Sequence, residues 1–454
     1  MSDQAQQTDI ALPGPSGHYL FGNASEYYAN RLRFLDRMIA TYGDLVRYRI
    51  GCDWTYLIND PRLVRDALRD WSHLDNATND TGFALDDSFV AKQGKSRVQP
   101  RSIVHSTMCP REVTGFHAEM VIAVDDALAA WRDGQERDVL ADMMRLNIEM
   151  ISRTLFGRPA AAWLEPVLPV LTDLQRLSGA FTTSEVTRER MNVSQRRAMF
   201  IETESLVERF VAELLDGSGP RAPVVDILFR ARDGGKLTQR QAVHEICVLL
   251  LSTSSTAVAA AWVLHCLSQQ DEARANLDRE LDALPAGPIA REDLAGLTAV
   301  STFINEALRL FPPLGLLHRT VNSDWSLGPL HMRARDRVHI SPYHLHRHSA
   351  FWHRPDDFCP ERFEPGSPWH RHEQQLAYFP FGFGIRRCIG EGMAWHQLQV
   401  ILATVARRHR MEAMHVPTYD VSPVGVLHPD ALALPMRIRL RSPASAQALL
   451  KAGS

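Results

Sequence analysis

The sequence predicts a mainly helical α+β fold built as a single domain. Apolar residues recur at helical spacing through most of residues 96–270, and again from Asp271 to Leu284 and from Leu297 to Phe311. After the Pro-Pro pair that follows Phe311, the chain changes to short strands and loops, and Met411 to Leu440 favours strands. The 454 residues contain no internal repeat and no low-complexity linker. We therefore expect one domain spanning residues 1–454, with helices predominating and small β-sheets.

The N-terminal part is predicted to contain two helices and one hairpin. A polar segment, Met1 to Ala11, is expected to be a mobile tail, and a helix then runs from about Ser25 to Tyr42. Leu45 to Ile50 and Trp54 to Ile58 are expected to pair as a β-hairpin. Pro61 opens a short helix to Arg69, because proline is well tolerated in the first helical turn.

Three later segments are expected to shape a site. Residues 72–95 are rich in Asp, Asn, Gly and Ser, which predicts a long loop of the kind that usually has a function. Helical spacing predicts a long central helix from Thr238 to Gln270 and a last helix from Glu391 to near Arg410.

Composition excludes several classes of protein. The chain is 45% hydrophobic and 23% charged with a formal net charge of −3, so we expect a globular protein without a nucleic-acid partner. The six cysteines are too far apart for zinc-type pairs, and they fit a reducing compartment. The N-terminus lacks signal-peptide features, and no stretch approaches the ~18 apolar residues of a membrane span. These observations favour a cytoplasmic protein without a membrane anchor.

The strongest chemical signal is the loop Phe379 to Gly390, which presents one cysteine. Two alternate glycines allow a tight turn, and Gly390 leaves room for a flat group against the backbone. Cys388 precedes a predicted helix, whose N-terminus favours a thiolate, and arginines flank it. A thiolate metal ligand with an anionic cofactor is the indicated chemistry. The alternative is a buried structural cysteine in a glycine-rich turn.

This loop resembles the haem-binding loop of the cytochrome P-450 family. That family's pattern, F-G-x-G-x-R-x-C-x-G, is met at all six fixed positions between Phe381 and Gly390. The resemblance implies haem b with Cys388 as the iron ligand, and Phe381, Gly382 and Gly390 in the cofactor-binding loop. It also implies the family's fold, with a long distal helix and a cysteine-ligand loop before a C-terminal helix.

Three further charges fit the same family. Glu306 and Arg309 share a helix face and can pair, although such pairs also occur on solvated faces. Pro360-Glu361-Arg362-Phe363 follows in the order seen in the family. The resemblance implies that Glu306, Arg309 and Arg362 form a buried structural network.

The resemblance places arginines on the haem propionates. These are Arg386 in the loop, Arg319 after the Pro-Pro turn and Arg101 after the long loop, and arginine forks suit carboxylates. Arg97 stands where the family commonly has tryptophan, and it either adds a fourth cation or points to solvent. Pro100 requires the helix around Arg101 to begin late or kink.

The central helix departs from the family at its Ser/Thr run. Thr256 matches a threonine that acts with an acid to deliver protons on the oxygen side of haem, but Ser255 replaces the acid. A serine hydroxyl does not ionise near neutral pH. The alternative for the whole run is hydroxyls bonded to carbonyls one turn earlier, without a catalytic purpose.

The resemblance implies a monooxygenase that inserts one oxygen atom of O2 into a lipophilic small molecule, such as a terpenoid or polyketide secondary metabolite. Because Ser255 replaces the acid, a peroxygenase, isomerase or oxidative-coupling enzyme stays open as an alternative function, and a non-catalytic haem sensor is a third class.

No segment resembles a fused reductase, so electrons from NAD(P)H are expected through ferredoxin reductase and ferredoxin. Five arginines form either a basic patch that would suit an acidic ferredoxin or simply the end of a solvated helix: Arg386, Arg387, Arg407, Arg408 and Arg410.

Six residues are candidates for the substrate pocket, each of which can equally be core: Phe83, Phe89, Phe181, Leu250, Ser252 and Leu316.

Overall fold

The structure is a computed structural model. It describes residues 12–69, 72–76, 98–106, 108, 113, 115–157, 205, 223–367, 374–422 and 425–441. Within these ranges helices predominate and four small sheets accompany them, so the α+β expectation is confirmed.

The N-terminal part contains short helices around one hairpin. Its elements are α1 (Ala24–Ala29), α2 (Arg31–Tyr42), β1 (Leu45–Ile50), β2 (Asp53–Ile58), α3 (Pro61–Arg69), β3 (Leu74–Asn76) and α4 (Val98–Ser106). Pro100 is the third residue of α4 as described, and the residues just before this helix lie outside the described range, so the predicted choice between a late start and a kink stays open.

The single helix predicted from Ser25 to Tyr42 is wrong. Asn30 is extended, with φ −164° and ψ 111°, and its side chain accepts a hydrogen bond from the N–H of Arg33 at 2.7 Å. Asn30 therefore ends α1 and caps α2, because an asparagine oxygen can satisfy an unpaired N–H of a first turn.

The middle of the chain provides the long helices. These are α5 (His117–Leu128), α6 (Val139–Leu155), α7 (Pro223–Asp233), α8 (Gln239–Gln269), α9 (Asp271–Asp282), α10 (Arg291–Leu294) and α11 (Thr298–Leu310), with β4 (Glu136–Asp138) before α6. Thr238 and Gln241 form a capping box at the start of α8.

The C-terminal part alternates strands with short helices. Its elements are β5 (Leu317–Val321), β6 (Trp325–Leu327), β7 (Leu330–Met332), β8 (Arg337–Ile340), α12 (Pro342–Leu345), α13 (Gln374–Ala377), α14 (Glu391–Arg408), β9 (His409–Ala413), β10 (Tyr419–Val421), β11 (Leu427–Pro429) and β12 (Pro435–Leu440). The last helix stops at Arg408 rather than near Arg410, because His409 is extended and begins β9.

The largest sheet has the strand order β1-β2-β8-β5-β3, in which only the β2–β8 pairing is parallel. β4, β12 and β9 form a second, antiparallel sheet, while β10–β11 and β6–β7 are two-stranded. The pairing of β3 with β5 places Asp75 opposite Thr320 and next to the Asn76–Arg319 pair.

The main core surrounds α8, which packs against α6, α11 and α14. By length and composition α8 is also apolar enough to cross a membrane, and no other described helix is. However, 76% of its most apolar window is buried within the protein, as expected for a central core helix. Trp262 shows this role, since it is 1% exposed and its indole N–H donates to the carbonyl of Leu427 at 3.1 Å.

One contact joins the two ends of the chain. The carboxylate of Asp420, on β10, accepts hydrogen bonds from the backbone N–H groups of Arg31 and Leu32, each at 3.0 Å. These are unpaired amides of the first turn of α2, so a residue near the C-terminus caps an N-terminal helix.

Candidate functional site

The cysteine loop is held by its own backbone. The N–H of Cys388 donates to the carbonyl of Phe381 at 2.8 Å, and the N–H of Gly382 donates to that of Phe379 at 2.9 Å. Gly382 and Gly384 have φ values of 76° and 69°, the left-handed region predicted for them. At Gly384 an added Cβ would lie 2.2 Å from the carbonyl oxygen of Leu68, so the loop can approach α3 only with glycine there.

Cys388 lies just before α14, whose N-cap is Gly390. Part of Cys388 is open to solvent, yet enough protein surrounds the thiol that burial raises its pKa above the ordinary value. A hydrogen bond from the backbone of Gly390 and the charges of Arg101 and Arg387 oppose this rise. The backbone amide at the start of α14 and the flanking arginines thus act in the predicted direction, toward the thiolate, but burial outweighs them. A metal ion bound at the sulfur would offset the effect of burial, because a metal deprotonates a coordinating thiol outright.

The fit of haem to the loop is tested at Gly390 and at Arg386. A Cβ added at Gly390 would lie 3.8 Å from the sulfur of Cys388 and 3.7 Å from that of Met108, which are ordinary van der Waals distances, so these two side chains do not by themselves require glycine there. The side chain of Arg386 is 10% exposed, and its Nε and Nη1 atoms are buried with no hydrogen-bond partner among the described residues. Buried guanidinium donors need acceptors. Haem supplies two carboxylates beside a flat ring, so these residues fit it.

The other two described arginines assigned to the propionates lie in the same region. Burial, with the nearby charge of Arg386, lowers the pKa of Arg319 to about 10. Burial also lowers the pKa of Arg386, which Asp75 opposes and Arg101 reinforces. Asp75 Oδ1 lies 3.7 Å from Arg386 Nη2. Three guanidinium groups beside one carboxylate leave a formal charge of +2, which two propionates would neutralise.

Glu306, Arg309 and Arg362 form one buried network. Glu306 pairs with Arg309 through two hydrogen bonds, of 2.7 and 2.8 Å, and its Oε1 also accepts from Arg362 Nε at 3.2 Å. The backbone N–H of Cys359 donates to the same oxygen at 2.7 Å. Their side chains are 0%, 0% and 2% exposed, and both guanidinium groups donate further to backbone carbonyls. The network fixes the segment before the cysteine loop to α11.

The Ser/Thr run of α8 divides into two kinds of hydroxyl. Ser252 donates to the carbonyl of Leu249 at 3.0 Å, Thr253 to that of Leu250 at 2.7 Å, and Ser255 to that of Ser252 at 3.0 Å. These bonds to the preceding turn are the alternative predicted for the run. The hydroxyl of Thr256 has no hydrogen-bond partner within the described part of the chain, and its residue is half-buried.

Several predicted site residues do not join this arrangement. Leu250 and Leu316 are 1% and 0% exposed and lie in hydrophobic core clusters, so they contribute packing rather than pocket surface. Ser252 is exposed, and Phe381 packs partly buried against the main core. The remaining four lie outside the described residues: Arg97, Phe83, Phe89 and Phe181.

Two residues at this site were not predicted. Asp75 lies in the segment predicted as a loop and reaches Arg386 only through the β3–β5 pairing. Asn147, on α6, donates a short hydrogen bond to the carbonyl of Thr253 on α8. The signal available in the sequence was an asparagine among the apolar residues of a predicted helix, and the structure buries it to 1% exposure, where an amide needs a partner.

The predicted basic patch is largely engaged within the protein. Arg387 pairs with Glu391, Arg408 lies 2.8 Å from a carboxylate oxygen of Asp125, and Arg410 lies 3.5 Å from one of Asp278. Arg407 donates to the carbonyls of Gly287 and Leu284. Carbonyl partners leave its positive charge in place, whereas carboxylates offset the others.

Comparison with known proteins extends the likeness beyond the loop. The family model described as Cytochrome P450 matches residues 12–434. Pentalenene oxygenase from Streptomyces avermitilis is 27% identical over 460 residues, covering 97% of this chain and 99% of that protein. Cyclooctatin synthase from Streptomyces melanosporofaciens is 27% identical, covering 87% and 89%. Cyclooctat-9-en-7-ol 5-monooxygenase from the same organism is 25% identical, covering 87% and 88%. Because the family match spans most of the chain and includes the cysteine loop, the chain belongs to the cytochrome P450 family and is a haem-thiolate monooxygenase.

Proposed function

We propose that this P450 oxygenates a lipophilic terpenoid, by hydroxylation or epoxidation, as part of secondary metabolism. The observation that carries the cofactor assignment is Arg386, whose buried donors beside Cys388 need an anionic partner. The substrate class is supported by two relatives named for pentalenene and for cyclooctat-9-en-7-ol, which are an alkene and an unsaturated alcohol. A polyketide remains an alternative of similar apolarity.

The chain's own residues bind, orient and shield the cofactor. Cys388 would hold the iron, Arg101, Arg319 and Arg386 would hold the propionates, and Gly390 would let the ring lie close to the loop. Haem, when bound, supplies the reductive activation of dioxygen, in which two electrons and two protons yield one water and one inserted oxygen atom. Thr256 would act on the oxygen side as a hydroxyl donor, while Ser255 cannot serve as a charged relay.

We propose that the electrons come from NAD(P)H through ferredoxin reductase and an acidic ferredoxin. Arg407 supports such docking, since none of the described residues offsets its charge with a carboxylate. The carboxylate pairs of Arg387, Arg408 and Arg410 make the patch weaker than its sequence indicates. We further propose that the chain is one haem-thiolate domain. We also propose that it lies in the cytoplasm, because none of the described cysteines forms a disulfide, as expected in a reducing compartment.

The cofactor assignment is tested by the reduced carbon-monoxide difference spectrum of the purified protein. We expect the red-shifted Soret band of a thiolate-ligated haem, and its loss in Cys388→Ser. Persistence of that band in Cys388→Ser would show that another ligand holds the iron.

The reaction is tested by turnover under two conditions. Candidate terpenoids are first selected by the low-to-high spin shift, and product is then compared between reduced ferredoxin with oxygen and peroxide alone. We expect product with ferredoxin and oxygen. Efficient turnover with peroxide alone, without turnover from ferredoxin, would instead favour the peroxygenase.

A further inference from the structure

The hydroxyl of Thr256 differs from its neighbours in having no partner among the described residues. A threonine inside a helix ordinarily bonds its hydroxyl to the carbonyl three or four residues earlier. For Thr256 these acceptors are the carbonyls of Thr253 and Ser252. Thr256 bonds to neither carbonyl, because other side chains already donate to both.

Both carbonyls already have a second donor. Ser255 donates its hydroxyl to the carbonyl of Ser252 at 3.0 Å, and Asn147 donates its side-chain N–H to the carbonyl of Thr253. Because α8 is continuous from Gln239 to Gln269, each carbonyl also accepts the backbone N–H four residues later. A carbonyl oxygen has two lone pairs, so both acceptors are filled.

The two donors are fixed in different ways. Asn147 belongs to α6, is 1% exposed and reaches α8 across a buried helix contact, so its amide has no solvent alternative. Ser255 lies one residue before Thr256 and bonds within its own helix. One donor thus comes from a neighbouring element and one from the position where the family has an acid.

We propose that Asn147 and Ser255 are positioning residues that keep the hydroxyl of Thr256 available as a donor on the oxygen side of haem. The inference rests on the proposed function, in which Thr256 acts on that side. It gives Ser255 a role that needs no ionisation. Thr256 can then donate on the oxygen side because its hydroxyl cannot bond to the carbonyls of Ser252 and Thr253 in its own helix.

The infrared C–O stretch of the reduced carbon-monoxide complex tests the proposal without a substrate, because a hydroxyl donor near bound carbon monoxide lowers this frequency. Wild type would be compared with Thr256→Val, Asn147→Leu and Ser255→Ala. The matched control is Thr154→Val, which removes a buried hydroxyl from α6 whose partners in the described part of the chain are the carbonyls of Met150 and Ile151 in its own helix.

We expect Thr256→Val to raise the C–O frequency, and Asn147→Leu and Ser255→Ala each to move it toward the Thr256→Val value. Thr154→Val should leave it unchanged, and Asn147→Leu added to Thr256→Val should give no further shift. Ser255→Ala is a small change, so the test stands even where Asn147→Leu lowers the yield of holoenzyme.

The outcomes distinguish the oxygen-side role of Thr256 from the positioning role of Asn147 and Ser255. An unchanged frequency in Thr256→Val would overturn the oxygen-side role proposed for Thr256. A shift in Thr256→Val without a shift in Asn147→Leu and Ser255→Ala would overturn only the positioning role. An equal shift in Thr154→Val would show a general loosening of α6 and would overturn it as well.

Discussion

Replacing Glu306 with glutamine should be among the most destabilising changes in the chain. One carboxylate serves two guanidinium groups whose side chains are 0% and 2% exposed, so Glu306→Gln leaves two buried cations facing backbone carbonyls. The new amide also turns a donor toward Arg309 Nε, where a carboxylate oxygen now accepts at 2.7 Å. Removing one partner of a buried ion pair costs about 3–5 kcal/mol, and we expect the upper end, about 5 kcal/mol, because two cations lose their counter-charge.

Arg362→Met should cost less, about 3 kcal/mol, because the two hydrogen bonds between Glu306 and Arg309 survive as a neutral pair. The assay is urea unfolding of the holoenzyme, followed by tryptophan fluorescence and by haem absorbance. Arg354→Met is the control. The side chains of its ion pair with Asp357 are 61% and 50% exposed, so solvent screens the pair and its loss should cost much less than either buried change. Glu306 would not be the shared counter-charge of this network if Glu306→Gln cost no more than Arg354→Met, or less than Arg362→Met.

Three other changes probe the loop, the propionate site and the acid stability. Gly384→Ala should sharply lower haem incorporation, because its φ is 69° and the new Cβ would lie 2.2 Å from the carbonyl of Leu68, whereas Gly392→Ala meets nothing within 4 Å and should be neutral or stabilising. Arg386→Gln should speed haem transfer to an acceptor apoprotein roughly 30-fold, since charge-assisted hydrogen bonds contribute about 2 kcal/mol; an unchanged rate would argue against its propionate role. Burial lowers the pKa of His318 to about 3, so the fold excludes a proton that the unfolded chain takes up below about pH 6.5. Urea midpoints should therefore fall as pH drops from about 6.5 toward 3, and His318→Asn should flatten that decline.

Elements set by local chemistry were predictable from the sequence. The bounds of α3, β1 and α8 lie within a residue of expectation, because Pro61, the apolar alternation before Gly51, and Thr238 act on their immediate neighbours. The break at Asn30 was missed. Asparagine is a good N-cap, but the apolar spacing continues across this residue and predicted one uninterrupted helix.

Contacts between distant segments were not predictable. β3 and β4 are three residues long and exist through pairing with β5 and β12, so their own sequences carry no periodicity. The same applies at the site. The cysteine loop and its glycine conformations follow from a local pattern, whereas Asn147 meets a carbonyl 106 residues away. The pKa direction at Cys388 also depends on burial by the assembled protein rather than on the adjacent helix.

The contact between Asp420 and the start of α2 also bears on how the chain is made. The cap and the amides that it satisfies are separated by 388 residues. At about 5–20 residues per second, a ribosome would complete the cap roughly 20–80 s after α2 has emerged. Until then the amides of Arg31 and Leu32 have water as their partner, and only the N–H of Arg33 has a side-chain cap, from Asn30. The second cap of α2 therefore forms only after nearly the whole chain has been made, so a chain that ended before β10 would keep the Asn30 cap and lack the Asp420 cap.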